Sequence, residues 1–284
     1  MKALLTLATL LGSAAWADQA AWDAPQAPFA LYGNTYYVGP RGLSAVLITS
    51  PAGHILIDGG SPRSPQQIAR RIRQLGFRPE DIRYILNSHP HFDHAGGIAW
   101  LQRLSGATVL SSAWGVAVLR HGRPLPDDPQ YGGLADFAAV RNTRAVADGE
   151  VIRLGPLAVT AHFTPGHTPG GVSWTWQATE HGRTASLVYA DSLSAYGGKR
   201  FRYSGDRAYP EAKADVERSI ARIAALPCDI LIAAHPEAGG LWARQARQPE
   251  RGNAAFIDPH ACRRYAEQGR ARLAERLAEE AAQH

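Results

Sequence analysis

The chain has 284 residues, 45% of them hydrophobic, with 28 glycines and 19 prolines. That composition supplies a packed core rich in loops and excludes a disordered or collagen-like chain. Lys and Arg number 30 against 25 Asp and Glu, a net charge of +5. No basic segment is interleaved with aromatics, so nucleic acid is not expected as a partner; the charge reads as a solvated face with a modest bias toward anionic small molecules.

Residues 1–17 read as an export signal. Met1-Lys2 gives a short basic start, and Ala3 to Ala15 is apolar but too short to stay in a membrane. Ala15-Trp16-Ala17 fits the small-x-small cleavage rule, so a mature chain of residues 18–284 is predicted to begin at Asp18. A buried N-terminal helix is the alternative. No Cys follows the apolar run and no later stretch is long enough to span a bilayer, so neither a lipid anchor nor a membrane span is expected. Export with this style of signal implies a periplasm.

Leu43 to Ser50 and His54 to Asp58 are β-rich and separated by Pro51-Ala52-Gly53, a hairpin signal. Ile68, Ile72 and Leu75 have helical spacing, which predicts a helix over Ser64 to Leu75 with Ser64 as N-cap and Gly76 as stop. Ile82 to Leu86 is a short buried strand. Ile98, Leu101 and Leu104 predict a helix after Gly96-Gly97, and Val109 to Ser111 a strand. Residues 121–147 are mostly loop, with a short helix near Leu134 to Val140. Strands are predicted at Val151 to Leu154, Leu157 to Phe163, Val172 to Trp176, Ser186 to Ala190 and Asp229 to Ala233. Helices are predicted at Tyr209 to Leu226 and at Pro259 to Ala282, the latter with an Arg/Glu-rich outer face. Periodicity supports a mixed α/β domain; two similar halves packed sheet to sheet would make an αββα sandwich.

The chemistry concentrates in Asn-Ser-His-Pro-His-Phe-Asp-His-Ala-Gly-Gly, residues 87–97. His89, His91 and Asp93 are two apart and share a face of an extended segment, and His94 joins them where the chain turns into a helix. His167 and His235 sit where two other predicted strands open onto loops, the positions at which α/β folds collect their sites. His89, His91, Asp93, His94, His167 and His235 thus make six candidate metal ligands. Three per metal, with water completing each shell, is the open arrangement of a catalytic zinc pair; structural zinc more often closes its shell with thiolates. Cys228 and Cys262, the only cysteines, read as one disulfide in an exported protein, with two buried thiols as the alternative.

These residues resemble the metallo-β-lactamase superfamily. The resemblance rests on Leu56-Ile-Asp-Gly-Gly60, the His-x-His-x-Asp-His block, Thr164-Pro-Gly-His167, Tyr189-Ala-Asp-Ser192 and Ala234-His-Pro236. It runs from about residue 30 to the C-terminus and is closest to the third subclass (B3) of the zinc β-lactamases. It implies an αββα fold over residues 18–284, two Zn²⁺ ions and a periplasmic monomer. The first ion would be held by His89, His91 and His167, the second by Asp93, His94 and His235. A zinc-bound hydroxide would open the β-lactam ring of penicillins, cephalosporins and carbapenems, giving antibiotic resistance. Asp93 would be both ligand and orienter of that hydroxide. Ser192 stands where other subclasses have a Cys ligand. Ser192, Ser194 and Gln130 would contact substrate, and Cys228 and Cys262 match the family's disulfide. Asp58 would brace a ligand imidazole or local backbone, with a plain turn residue before Gly59-Gly60 as the alternative. Two other outcomes remain open: a lactonase or thioester hydrolase of the same fold, in which Asp191 would bridge the metals, and a non-catalytic zinc-binding protein.

Overall fold

The computed structural model describes residues 21–283, so the expected signal at residues 1–17 lies outside the described residues. Two sheets form. The first runs β1 (Phe29–Tyr32), β2 (Thr35–Tyr37), β3 (Val46–Ser50), β4 (Gly53–Ile57), β5 (Ile82–Leu86), β6 (Thr108–Ser111), β7 (Thr143–Ala145), with neighbours in chain order. It is antiparallel through β4 and parallel from β4 to β7. The second contains β8 (Val151–Leu154), β9 (Leu157–Phe163), β10 (Val172–Glu180), β11 (Arg183–Ala190) and β12 (Ile230–Ala233), in the order β12-β11-β10-β9-β8, with β12 parallel to β11.

Strand periodicity decides the layering. Alternate residues point to opposite faces. Ile55 and Ile57 enter the core between the sheets with Val159, Trp174, Leu187 and Tyr189, while Leu56 faces the opposite way. On that outer face, Leu47, Leu56, Ile85 and Val109 receive Ile68 and Ile72 of α1 (Pro65–Gln74) and Ile98 and Leu101 of α3 (Ile98–Ser105). On the outer face of the second sheet, Val188 and Leu231 meet Val216 and Ile220 of α5 (Ala212–Ala225) and Tyr265 of α8 (Ala261–Ala281). The order helix, sheet, sheet, helix is the αββα sandwich expected from the sequence.

The expected elements form with ends shifted by a few residues; most are trimmed, but β10 runs four residues beyond Trp176 and β11 starts three residues before Ser186, and β1 and β2 had no expected counterpart. Three other regions differ. Leu134 to Val140 is not helical; Phe137 and Val140 give their backbone N–H groups to the carbonyls of Gly122 and Leu119, so the segment is tied to a neighbouring helix and not to itself. That helix, α4 (Ala113–His121), carried no clear sequence signal, and β7 lies inside the stretch read as loop. Ser64 stands at the N-terminus of α1 but makes no side-chain cap; its hydroxyl donates to Asp23 at 2.7 Å.

Two ties hold α8 in place. Cys228 and Cys262 form a disulfide with a sequence separation of 34, joining the approach to β12 to the first turn of α8. On the chain-entropy model such a link adds about 4 kcal/mol. At the far end, the buried Glu280 carboxylate accepts the backbone N–H groups of Tyr203 and Ser204, each at 2.8 Å, and Arg276 Nε at 2.8 Å. Burial alone would raise the Glu280 pKa, but these donors outweigh it and lower it. A depressed carboxyl pKa gives stability that is full above the ordinary Glu value and is lost as pH falls through the folded one. Glu280→Ala, which strands those N–H groups, should cost about 1–3 kcal/mol at pH 7. The gap from wild type should shrink in urea titrations at pH 3.5; an equal gap at both pH values would contradict the account.

Candidate metal centre

The strands converge at one edge of the sandwich, and four strand ends deliver the site. His89, His91, Asp93 and His94 follow β5, with Asp93 and His94 on the short helix α2 (Phe92–Ala95) that starts after His91. His167 follows β9, Asp191 and Ser192 follow β11, and His235 follows β12. Asp58, just past β4, clamps the motif from below. It accepts Asn87 Nδ2 at 3.0 Å, the Ser88 backbone N–H at 2.8 Å, Ser88 Oγ at 2.6 Å and the Tyr189 hydroxyl at 2.8 Å. Its oxygen stands 3.7 Å from His94 Nδ1. Asp58 itself has φ of 60°, a left-handed conformation uncommon for a residue with a side chain.

All six candidate ligands come together. The donor atoms of His89, His91 and His167 lie within 4.8 Å of one another, as do those of His89, Asp93 and His94. His235 joins the second group, its Nε2 at 3.3 Å from His94 Nε2 and 3.4 Å from Asp93 Oδ2; Asp93 Oδ2 is 3.1 Å from His94 Nε2.

Each imidazole but one has its outward nitrogen occupied. His89 Nδ1 pairs with Asp191 Oδ1 at 2.6 Å, and His91 Nε2 with Asp128 Oδ2 at 3.0 Å. His167 Nδ1 meets the Ser194 carbonyl at 3.0 Å and its hydroxyl at 2.9 Å, and His235 Nδ1 meets the Gly42 carbonyl at 3.2 Å. A ring nitrogen facing a carboxylate or carbonyl carries the proton, which leaves the other nitrogen with its lone pair turned into the cluster. The charge balance agrees. Burial, then the neighbouring imidazoles His94, His91 and His167, hold the His89 pKa well below the ordinary value. His167 is lowered to about 3 by burial and by His91. Burial would raise Asp93, but His94 and His235 outweigh it and keep its carboxyl well below the usual range. Burial would lower the His94 pKa, but Asp93 and Asp58 outweigh it and raise it, so a cation bound there would take the place of its proton. Inward ring nitrogens on His89 and His167 and one fixed carboxylate are part of a donor set for a divalent cation, and an imidazole-rich set without thiolate suits Zn²⁺.

Asp191, considered above as a metal bridge, is instead engaged with the outward nitrogen of His89 and is fully buried. Burial and the nearby Asp58 charge raise its pKa well above the usual carboxylate range. Asp191→Ala is expected to weaken metal binding about 10–100-fold by freeing the His89 ring, measured by competition with a chromogenic chelator. Unchanged affinity would remove Asp191 from this role.

Gln130 Nε2 lies 3.5 Å from His167 Nε2, so its loop faces the cluster. Ser192, Ser194 and His235 line a groove of about 500 Å³ with Glu237, Tyr265, Gln268 and Arg272. Sequence reasoning missed Asp128, although it named the loop. The partner it orients, His91, is 37 residues away, a distance at which no spacing rule operates. It also missed that Ser194 fixes His167.

A family model described as the metallo-β-lactamase superfamily matches residues 38–235. Among solved structures, MEM-A1, a subclass B3 metallo-β-lactamase isolated from a soil metagenome library, is 68% identical with a TM-score of 0.92, covering 93% of this chain and 100% of that one. The metallo-β-lactamase SMB-1, bound to 2-mercaptoethanesulfonate, is 50% identical with a TM-score of 0.89, covering 91% of this chain and 99% of that one. A curated hydroxyacylglutathione hydrolase of Anaeromyxobacter dehalogenans strain 2CP-C is 33% identical over 162 residues, 57% of this chain. The match spans 50% of that relative's length.

Proposed function

The chain belongs to the metallo-β-lactamase superfamily, and from that premise we propose that it is a zinc-dependent β-lactamase that hydrolyses the ring amide of penicillins, cephalosporins and carbapenems. The observation that carries the reading is its 68% identity, across the whole of that chain, to a subclass B3 enzyme. Ser192 in place of a thiolate ligand fits the same subclass. His89, His91 and His167 would hold one Zn²⁺, and Asp93, His94 and His235 a second.

Bound there, zinc supplies a water activated near neutral pH and polarisation of the lactam carbonyl. The chain's own groups do the rest. Asp191, Asp128, Ser194 and Gly42 keep the imidazoles in one tautomer and one orientation. Asp93, kept ionised, orients the attacking water and accepts its hydrogen bond. Ser192 and Ser194 at the groove wall receive the substrate carboxylate, and Gln130 closes the His167 side. No serine acts as nucleophile, so no acyl-enzyme forms.

A signal at residues 1–17, delivery to the periplasm, a monomeric state and a role in antibiotic resistance complete the proposal. The Cys228–Cys262 disulfide supports an oxidising compartment. Among the described residues no helix is long and apolar enough to cross a membrane. The second reading, a thioester or lactone hydrolase, draws on the 33% identity to the hydroxyacylglutathione hydrolase. Asp191 weighs against it, being turned to His89 and away from a bridging position.

One experiment separates these readings. The purified protein should turn over nitrocefin and a carbapenem, lose that activity to a chelator and regain it with Zn²⁺. Turnover of a lactone or thioester alone would exclude the β-lactamase.

A further inference from the structure

The helix α8 reaches the site by a close approach. A Cβ on Gly269 would lie 2.9 Å from Leu193 Cβ and 3.3 Å from the Leu193 carbonyl oxygen, so only glycine lets the helix press against the loop that carries Ser192 and Ser194. Tyr265, Gln268 and Arg272 follow one another at spacings of three and four and therefore share the helix face on which Gly269 also lies. All three line the groove that holds Ser192, Ser194 and His235.

Of the arginines on this helix, Arg272 is the one that lines the groove. Arg264 is paired with Asp258 and Arg276 with Glu280. Arg272 makes no hydrogen bond or ion pair among the described residues. The carboxylates that face it are Glu237 across the groove, and Glu275 and Glu279 in the adjoining hollow of about 460 Å³; none approaches it closely enough to form an ion pair. The groove therefore has one uncommitted guanidinium, beside the Gln268 amide and the Ser192 hydroxyl. The Ser194 hydroxyl accepts from the protonated His167 Nδ1 and keeps its own proton to donate toward the same groove.

We propose that Arg272 is a specificity-determining residue that binds the substrate carboxylate, with Ser192 and Gln268 as its hydrogen-bonding neighbours. The inference rests on the β-lactam reading above, and it deepens that reading by assigning the anionic subsite to the C-terminal helix. The chemistry suits the ligand. Penicillins, cephalosporins and carbapenems carry one carboxylate on the carbon beside the ring nitrogen. A planar guanidinium pairs with a carboxylate through two parallel hydrogen bonds. A contact made equally in the bound substrate and in the transition state lowers KM without altering kcat.

The test uses the zinc-loaded protein and compares a cephalosporin with its carboxyl methyl ester. Arg272→Ala should raise KM for the free acid about tenfold with kcat within about twofold. It should leave the ester unchanged, and the wild-type advantage for the acid should fade at high salt. Arg272→Lys should restore part of the loss. Arg270→Ala, the same charge change on the same helix but outside the groove, should behave as wild type. Calorimetric titration with hydrolysed ampicillin should show the same order of affinities. If Arg272→Ala matches Arg270→Ala on the acid, or impairs acid and ester equally, the assignment is overturned. Absence of any β-lactam turnover by the wild type would overturn both this assignment and the hydrolase reading, whereas wild-type turnover insensitive to Arg272 would overturn the assignment alone.

Discussion

Replacing Asp93 with asparagine should lower kcat/KM for nitrocefin by about 10²–10⁴ while the protein still folds. The substitution keeps the size of the side chain and one carbonyl oxygen, so packing in this buried position changes little. It removes the charge. In the wild type that charge is held by the imidazoles of His94 and His235, at 3.1 and 3.4 Å from Asp93 Oδ2. With asparagine, five imidazoles converge without an anion, and a cation held there would be bound by neutral donors alone. Metal content should fall first at the group formed by Asp93, His94 and His235. The water that attacks substrate would also lose the only carboxylate among the six candidate ligands that could orient it. Metal analysis alongside kinetics separates the two effects. Saturating Zn²⁺ should restore occupancy and leave a residual kcat defect. A variant within tenfold of wild type at full metal content would show that Asp93 does not serve the reaction.

The candidate site was legible because the proposed donors sit where buried strands end. His89, His167 and His235 each follow an apolar run of a few residues, and the fold brings those ends to one edge of the sandwich. A strand end is visible in sequence, and a polar residue placed there is informative. The groups that orient the imidazoles were not legible in the same way. Asp128 sits in a Pro-rich loop, and the Ser194 and Gly42 contacts involve backbone carbonyls that every residue possesses. The fold shows the same limit. β7 is an edge strand, exposed or half-exposed along its length, so it carries no apolar alternation. In α4, Gly115 interrupts the helical pattern, and it is needed because a Cβ there would lie 2.2 Å from Ser111 Oγ. The groove wall formed by Gln268 and Arg272 was hidden for another reason. On a helix rich in Arg and Glu, nothing in the pattern distinguishes the arginine that faces a loop from those that face water.

Gly97→Ala should destabilise the protein by about 1–3 kcal/mol and reduce activity far more than that loss of stability explains. The glycine needs no unusual backbone angle; its φ of −86° and ψ of −13° suit any residue. What it needs is space. A Cβ at Gly97 would lie 2.2 Å from the Gly59 carbonyl oxygen, and one at Gly59 would lie 2.7 Å from the Ile98 nitrogen. Gly97 therefore lies backbone to backbone against Gly59 and Gly60. Gly59 donates its N–H to the His94 carbonyl at 2.9 Å, and Gly97 donates to the Gly60 carbonyl at 3.1 Å. The loop after β4 thus fixes the turn that carries Asp93 and His94. Backbone atoms cannot rotate out of the way, so an added methyl must separate the two segments and carry the His94 ring with them. Displacing one ligand imidazole by even a fraction of an ångström loosens metal binding, with an effect of about 10–100-fold comparable to loss of an orienting partner. Thermal melting of the metal-free variant reports the packing cost, and Zn²⁺ affinity reports the displacement. A variant that melts lower yet binds zinc as wild type would mean that the glycine contact supports the fold alone and does not set the metal centre.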